Sequence, residues 1–213
     1  MTLRPLCGRR AGLTLIETAI ASGILVVVLG IAAAGTMRAI ETHRGTMGRV
    51  DLERRAASAL ERIVDRLTDC GASAITEDLT TPGGSSRVTF RRPEGWSGAA
   101  VTMGPLTSVT MDEDPSDPVN GADDDADGVI DQRLVQVKVG TAAPVAIARN
   151  VLPLLDREVA NGADDNGNGL VDEPGFCVTR SGEQVTVRIS LRRRGPDGVV
   201  ATASASATVR VGP

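Results

Sequence analysis

Two short acidic segments carry the side chains best suited to chemistry in this 213-residue chain. The first loop, residues 120–131, recurs 41 positions later as the second loop, residues 161–172. Calcium prefers oxygen ligands, and a glycine after the third ligand permits the sharp turn around the ion. We therefore predict these calcium ligands: Asp123, Asp125, Asp127, the carbonyl of Val129, and Asp131 in the first loop; Asp164, Asn166, Asn168, the carbonyl of Leu170, and Asp172 in the second.

The spacing of these ligands is similar to the first half of an EF-hand loop. The bidentate glutamate of that loop is absent, since Leu134 and Gly175 stand in its place. Both loops therefore more closely resemble the shorter calcium loops of thrombospondin type 3 and dockerin repeats. The second loop has fewer carboxylates at ligand positions, so we expect weaker binding there. The alternative is a pair of solvated acidic turns, because Asp-Gly and Asn-Gly are ordinary turn formers.

Composition excludes several classes of function. The 27 acidic residues exceed the 23 basic ones, for a net charge of −4, which argues against nucleic acid as a partner. One histidine and three cysteines offer little for histidine-based catalysis or a zinc cluster. No convincing nucleophile–base pair emerges, so we do not expect an enzyme. With few aromatic residues in the core, calcium would act as a structural staple for long loops.

The amino-terminal segment must position everything that follows. From Thr18 to Met37 the chain has 20 consecutive residues without a charge. A helix of that length spans about 30 Å, the thickness of a bilayer's hydrocarbon. The three arginines of residues 1–12, a stretch with no acid, keep the amino terminus cytoplasmic and predict export of the remainder. The alternative is an ordinary secretory signal, for which residues 32–35 offer a cleavage site.

The junction Arg-Arg-Ala-Gly-Leu-Thr-Leu-Ile-Glu, residues 9–17, resembles the start of type IV pilins and type II secretion pseudopilins. The resemblance implies that a prepilin peptidase cuts between Gly12 and Leu13 and that the Leu13 amine is methylated. Leu13 stands where the family usually has phenylalanine. Glu17 becomes the fifth mature residue and, in a filament, pairs with the free amine of a neighbouring subunit. The alternative for Glu17 is a hydrated carboxylate at the membrane edge.

The resemblance and the sequence pattern together predict an α+β chain with a pilin-like fold. A cleaved leader (1–12), a membrane or filament-core helix (13–40) and an amphipathic continuation (41–70) precede an exported β-rich domain (71–213). The continuation carries apolar residues at helical spacing, which should pack on an antiparallel sheet: Leu52, Ala56, Ala59, Leu60, Ile63, Leu67 and Cys70. Alternating patterns predict strands at 87–91, 108–111, 133–139, 145–148, 176–180, 184–192 and 199–211, the last two as a hairpin.

Two cysteines remain after loss of the leader, which contains Cys7. Because an exported domain lies in an oxidising compartment, we favour a disulfide between Cys70 and Cys177. The alternative is a pair of buried free thiols.

These features predict a minor pilin or pseudopilin, a non-enzymatic structural subunit of a type IV pilus or type II secretion pseudopilus. The finer pattern loosely resembles the J-type minor pseudopilin and the W-type minor pilin. The expected partners are prepilin peptidase, other pilin or pseudopilin subunits, the inner-membrane assembly platform and membrane lipid. The expected location is the bacterial inner membrane, crossed once, with the carboxyl-terminal domain periplasmic. The competing function is a membrane-anchored, calcium-dependent adhesin or binding module that uses a pilin-type anchor.

Overall fold

The structure is a computed structural model that describes residues 14–195 and 198–212, apart from the side chains of residues 41–46 and 72. Helix α1 comprises Leu15–Thr68, 54 residues. The chain divides into two compact units, residues 1–43 and residues 44–213. In the first unit, Leu15–Ile40 is long and apolar enough to cross a membrane, and none of its most apolar stretch is buried. A membrane anchor and a signal sequence share these properties.

The second unit contains a largely antiparallel sheet. Within the described residues seven strands form this sheet, in the order β1-β4-β5-β6-β8-β7, with β9 paired to β8. Strands β2 and β3 form a separate two-stranded sheet. The strands are β1 (Arg87–Phe90), β2 (Pro93–Trp96), β3 (Val101–Met103), β4 (Thr107–Glu113), β5 (Arg133–Val139), β6 (Val145–Val151), β7 (Phe176–Ser181), β8 (Gln184–Arg194) and β9 (Val200–Arg210).

Strand β8 organises the carboxyl-terminal half of the sheet. It pairs with β9 along its whole length, from Gln184 opposite Arg210 to Arg194 opposite Val200. On its other edge β7 pairs with the first part of β8, and β6 meets it through Val151 and Leu191. The predicted carboxyl-terminal hairpin is therefore confirmed. The ends of β6 and β7 are held near the same edge of β8, which places the long connection between them at that edge.

The core lies between one face of α1 and one face of the sheet. All seven apolar residues predicted on that helix face are buried, from Leu52 to Cys70. They belong to the same hydrophobic cluster as the inward-facing side chains of β1, β4, β5, β7 and β8. Burial of apolar surface, worth about 25 cal/mol per Å², stabilises this unit. The structure thus confirms a mixed α+β chain with an apolar amino-terminal helix.

The predicted strands correspond to β1 and β4 through β9. Strands β2 and β3 are not among them, because Pro93 and Gly95 break the alternation that marks a strand. The register shifts between these two residues, as expected at a bulge. These two strands lie away from the acidic loops in the chain and position no predicted site residue.

Candidate metal centre

The two acidic loops are the connections between strands of the large sheet. The first loop joins β4 to β5, and the second joins β6 to β7. Equivalent residues have the same left-handed backbone conformation: Gly128 and Gly169 have φ of 85° and 87°, and Asp131 and Asp172 have φ of 54° and 50°. Non-glycine residues seldom adopt positive φ, and aspartate is among those that tolerate it best. The sequence repeat is therefore also a repeat of backbone structure.

The aspartate at the first ligand position of each loop holds the chain in a tight turn. In the first loop, Asp123 Oδ2 accepts a hydrogen bond of 2.8 Å from the Gly128 amide. In the second loop, Asp164 Oδ2 accepts one of 2.7 Å from the Gly169 amide. These bonds draw the ends of a six-residue turn together, which is the geometry that the glycine was predicted to permit.

The third and fifth ligand positions form short turns with their own backbone. Asp125 Oδ1 accepts from the Asp127 amide at 3.1 Å, and Asp127 Oδ1 accepts from the Val129 amide at 2.9 Å. The equivalent bonds in the second loop, to Asn166 Oδ1 and Asn168 Oδ1, measure 3.0 Å and 2.9 Å. In both loops these bonds fix the side-chain oxygens before any cation binds, which lowers the entropic cost of binding.

Three carboxylates of the first loop converge. Ligand oxygens of Asp123, Asp125 and Asp127 lie within 4.8 Å of one another, close enough to hold one metal ion. Desolvation raises the pKa of Asp125, and the neighbouring charges of Asp127, Asp117 and Asp123 raise it further. Such mutual repulsion is relieved by a divalent cation. A site made only of oxygen donors suits calcium or magnesium better than zinc.

The aspartate at the ninth position of each loop, a predicted ligand, accepts hydrogen bonds from backbone amides at the start of its loop. Asp131 Oδ1 accepts hydrogen bonds from the Asn120 amide at 2.9 Å and the Gly121 amide at 2.8 Å. Asp172 accepts the equivalent bonds from Asn161 at 3.0 Å and Gly162 at 2.8 Å. Both aspartates therefore close the base of their loop. Among the described residues, the acidic cluster of the first loop does not include Asp131.

The predicted carbonyl ligands lie at the seventh position. The carbonyl of Val129 accepts a hydrogen bond of 3.2 Å from Gln132 Nε2. The carbonyl of Leu170 occupies the equivalent point of the second loop by the backbone correspondence described above.

Two further pairs of residues belong to the repeat and were missed at the sequence level. Asp117 and Gln132 precede Glu158 and Glu173 by the same 41 positions that separate the loops. Asp117 is buried; its Oδ1 accepts from the Asp124 amide at 3.2 Å and its Oδ2 from the Gln132 amide at 2.9 Å. The signal that could have revealed these residues was the extension of the repeat beyond its glycine-rich centre.

Gln132 completes a hydrogen-bonded network beside the first loop. Its Nε2 donates to Asp127 Oδ1 at 2.7 Å, and its Oε1 accepts from Asn150 Nδ2 at 2.6 Å. Asn150 Nδ2 also donates to Asp127 Oδ2 at 2.8 Å. Both carboxylate oxygens of Asp127 thus have neutral donors, which stabilise the first loop whether or not an ion is bound.

The second loop has carboxylates at these flanking positions and lacks such a network. Glu158 Oε1 accepts from the Asn166 amide at 2.9 Å. Within the described part of the chain, its Oε2 and both side-chain oxygens of Glu173 are buried without a hydrogen-bond partner. Desolvation raises the pKa of Glu158, as do the charges of Glu173, Asp165 and Asp164. By contrast, backbone amides, first that of Gly169, lower the pKa of Asp164 and keep it ionised.

The twelfth position explains why neither loop has the EF-hand glutamate. At Gly175 a Cβ atom would overlap the carbonyl oxygen of Leu152, so no side chain fits there. In the first loop the equivalent Leu134 is a buried residue of β5. Position 12 therefore lies at the start of the following strand in the first loop and directly before it in the second, and no ligand side chain stands there.

The predicted disulfide is wrong in this structure. Cys70 and Cys177 are both free and buried. Cys70 belongs to the core beneath α1, whereas Cys177 alternates with the core residues Phe176 and Val178 and so faces the other side of β7. Cys177 Sγ lies 3.6 Å from the carbonyl oxygen of Gly83. The sheet itself separates the two thiols.

The motif at the amino terminus is described only in part. Gly12 and Leu13, the predicted cleavage and methylation sites, lie outside the described residues. Thr14 and Glu17 form a reciprocal cap at the start of α1: Glu17 Oε2 accepts from the Thr14 amide at 2.8 Å, and Thr14 Oγ1 accepts from the Glu17 amide at 3.4 Å. Glu17 therefore has a role within its own chain, in addition to the intersubunit pairing that the family resemblance implies.

No protein-family model, no curated protein and no solved structure matches this chain.

Proposed function

We propose that this chain is a non-enzymatic filament subunit, a minor pilin or pseudopilin anchored in the bacterial inner membrane. The observation that carries the proposal is the composition of α1. Its amino-terminal part, Leu15–Ile40, exposes apolar side chains over a length that can span a bilayer. Its later part, from Leu52 to Leu67, buries one face against an antiparallel sheet. A soluble helix would not keep so much apolar surface exposed, which supports a lipid or subunit environment.

The start of α1 supports processing at the prepilin-type junction. The helix begins at Leu15, two residues after the proposed new amino terminus, and the Thr14–Glu17 cap satisfies backbone donors at that end. Cleavage between Gly12 and Leu13 would leave this helix start intact. Cleavage within residues 32–35, as in an ordinary secretory signal, would remove more than half of the apolar span.

Calcium fits the donor set of the first loop, and we propose that it staples the long connections of the periplasmic domain. Three carboxylates converge there with side-chain oxygens already turned toward one another. Extracellular calcium modules need affinities only on the order of 10⁻⁴–10⁻³ M. The ion would neutralise repulsion among the aspartates and hold the loop at the start of β5.

Assembly through Glu17 tests this function. In cells that make the filament, we expect Glu17→Gln to reduce recovery of the chain in sheared filaments at least severalfold. Glutamine retains an acceptor for the Thr14 cap, so the helix start is preserved while the charge is lost. Glu53→Gln is the matched control, since Glu53 is an exposed residue of the same helix that pairs with Arg49 at 3.0 Å.

Equal recovery of wild type and Glu17→Gln would contradict the assembly role. Absence of the wild-type chain from sheared filaments, together with calcium-dependent capture of a ligand by intact cells, would instead favour the membrane-anchored adhesin.

A further inference from the structure

The second loop holds two carboxylates that the protein does not satisfy. Glu173 is fully buried, with 0% of its surface exposed, and Glu158 is 8% exposed. Among the described residues, three of their four carboxylate oxygens are buried without a hydrogen-bond partner. An ionised carboxylate out of water needs a hydrogen bond, a cation or a proton. These two glutamates therefore require something that the protein's own donors do not supply.

The two copies of the repeat distribute their charge differently. The first loop has aspartates at ligand positions 3 and 5 and the neutral Gln132 at position 10. The second loop has asparagines at positions 3 and 5 and the acidic Glu173 at position 10. Where the two copies differ, the acidic side chains lie at the tip of the loop in the first copy and at its flank in the second. The second copy therefore has carboxylates at Asp164, Glu158 and Glu173.

Two of the remaining contacts link Glu158 to the second loop and to Glu173. Glu158 Oε1 accepts from the amide of Asn166, which is itself a predicted ligand. The charges of Glu173, Asp165 and Asp164 all act on the Glu158 carboxylate. Residues Asn166 and Asn168 present side-chain oxygens held by the backbone at 3.0 Å and 2.9 Å. In the first copy, by contrast, Asp117 directs both oxygens to backbone amides.

We propose that Glu158 and Glu173 complete a calcium site in the second loop, together with the side-chain oxygens of Asp164, Asn166 and Asn168. The proposal rests on the proposed function only in taking calcium as the ion. All donors are oxygens, and carboxylates from separate segments suit calcium's flexible coordination of six to eight ligands. Glu173 at position 10 replaces the glutamate that the crowded Gly175 excludes from position 12.

With this site, the second loop depends on calcium more than the first does. The ligands at the loop tips alone predict the opposite order, because the second loop has fewer carboxylates there. The first loop is supported by the amides of Gln132 and Asn150, whereas the second holds unpartnered carboxylates. Calcium removal should therefore destabilise the second loop more than the first.

Calorimetric titration of calcium into the full chain in detergent micelles tests the proposal. Asp125→Ala disables the first loop, and the remaining binding is then measured with Glu173→Gln or Glu158→Gln added. We expect one calcium to bind to the Asp125→Ala protein and its affinity to fall about tenfold or more in either double variant. Glu183→Gln is the control for the charge change, since Glu183 pairs with Arg210 at the exposed end of the hairpin.

Thermal unfolding in chelator provides a second measurement that does not depend on binding heat. Because a buried, unpartnered charge is removed, the Glu173→Gln single variant should be at least as stable as wild type without calcium. Adding Glu173→Gln to the Asp125→Ala protein should abolish the rise in melting temperature that calcium causes in the Asp125→Ala protein. If the Asp125→Ala protein binds no calcium while wild type does, the proposal is overturned. Calcium binding to wild type that vanishes in Asp125→Ala would overturn it while leaving the first-loop staple intact. Failure of wild type to bind any calcium would reject both.

Discussion

At the residue scale, the alternation of side chains along β7 determines whether Cys70 and Cys177 can form a disulfide. Their sequence separation allows a bridge, but the pleat of β7 turns Cys177 away from the core that contains Cys70. Burial, which outweighs the neighbouring charges for both thiols, raises the pKa of each from 9.0 to about 11. Such thiols remain protonated and unreactive at neutral pH, because the thiolate is the nucleophile.

The thiols predict both a reactivity and a pH dependence. In membrane-exported Cys7→Ser protein we expect slow reaction with Ellman's reagent at pH 8 and release of both thiols on unfolding without reductant. Because the folded pKa is raised, the folded state binds protons more strongly, and stability present below pH 9 is lost as the pH rises toward about 11. Absence of titratable thiols in denaturant, and their appearance only after reduction, would show that the disulfide forms after all.

Glu173 is a residue whose candidate role the sequence did not predict. The extended repeat places it opposite Gln132, which is not acidic, so its complete burial without a hydrogen-bond partner among the described residues is what marks it as a candidate ligand. Burial is decided by the strands around the loop, which a local motif does not encode.

At the scale of elements, each acidic loop depends on the strand that follows it. The second loop must end at β7, and Gly175 lies where the chain passes the Leu152 carbonyl. The Gly175 amide donates to the Pro153 carbonyl at 3.0 Å, and its own carbonyl accepts from the Ser190 amide at 2.8 Å. This residue thus ties the loop to β8.

Substitution of Gly175 therefore has a large expected effect. Gly175→Ala would force a Cβ into the Leu152 backbone, and we expect a loss of about 3 kcal/mol in the free energy of unfolding. Gly95→Ala is the control: Gly95 lies in a strand with open space around the added Cβ, and we expect a change below about 1 kcal/mol. Chemical denaturation followed by circular dichroism measures both. A Gly175→Ala protein as stable as Gly95→Ala would show that the crowding is relieved by a backbone shift.

The elements were easier to predict than the contacts between them. Regular alternation, as in Val185, Val187 and Ile189, depends only on neighbouring residues and predicted β8 well. The helix face from Leu52 to Leu67 was predictable for the same reason. The backbone bonds of the ninth-position aspartates could not be predicted, because spacing alone does not show that Asp131 accepts from the Asn120 and Gly121 amides. Such pairings depend on how the loop closes.

At the scale of the whole molecule, an apolar helix, an antiparallel sheet and two acidic loops have separate roles. The span Leu15–Ile40 supplies the surface that lipid or neighbouring subunits would cover. The sheet and the second half of α1 form a core of mostly aliphatic side chains, with Phe90 and Phe176 as its largest buried members. The loops are long for such a core, and bound calcium would stabilise them by mass action.

The amino-terminal sequence of the mature protein distinguishes prepilin-type processing from an ordinary secretory signal. Expressed with a prepilin peptidase and extracted from membranes, the chain should begin at Leu13 with a methylated amine, as read by mass spectrometry of its first peptide. Gly12→Val should block this cleavage, whereas Gly8→Val, an equal change within the leader, should not. An intact leader in the presence of active peptidase, or an amino terminus within residues 33–36, would contradict the account and indicate an ordinary anchor or secretory signal.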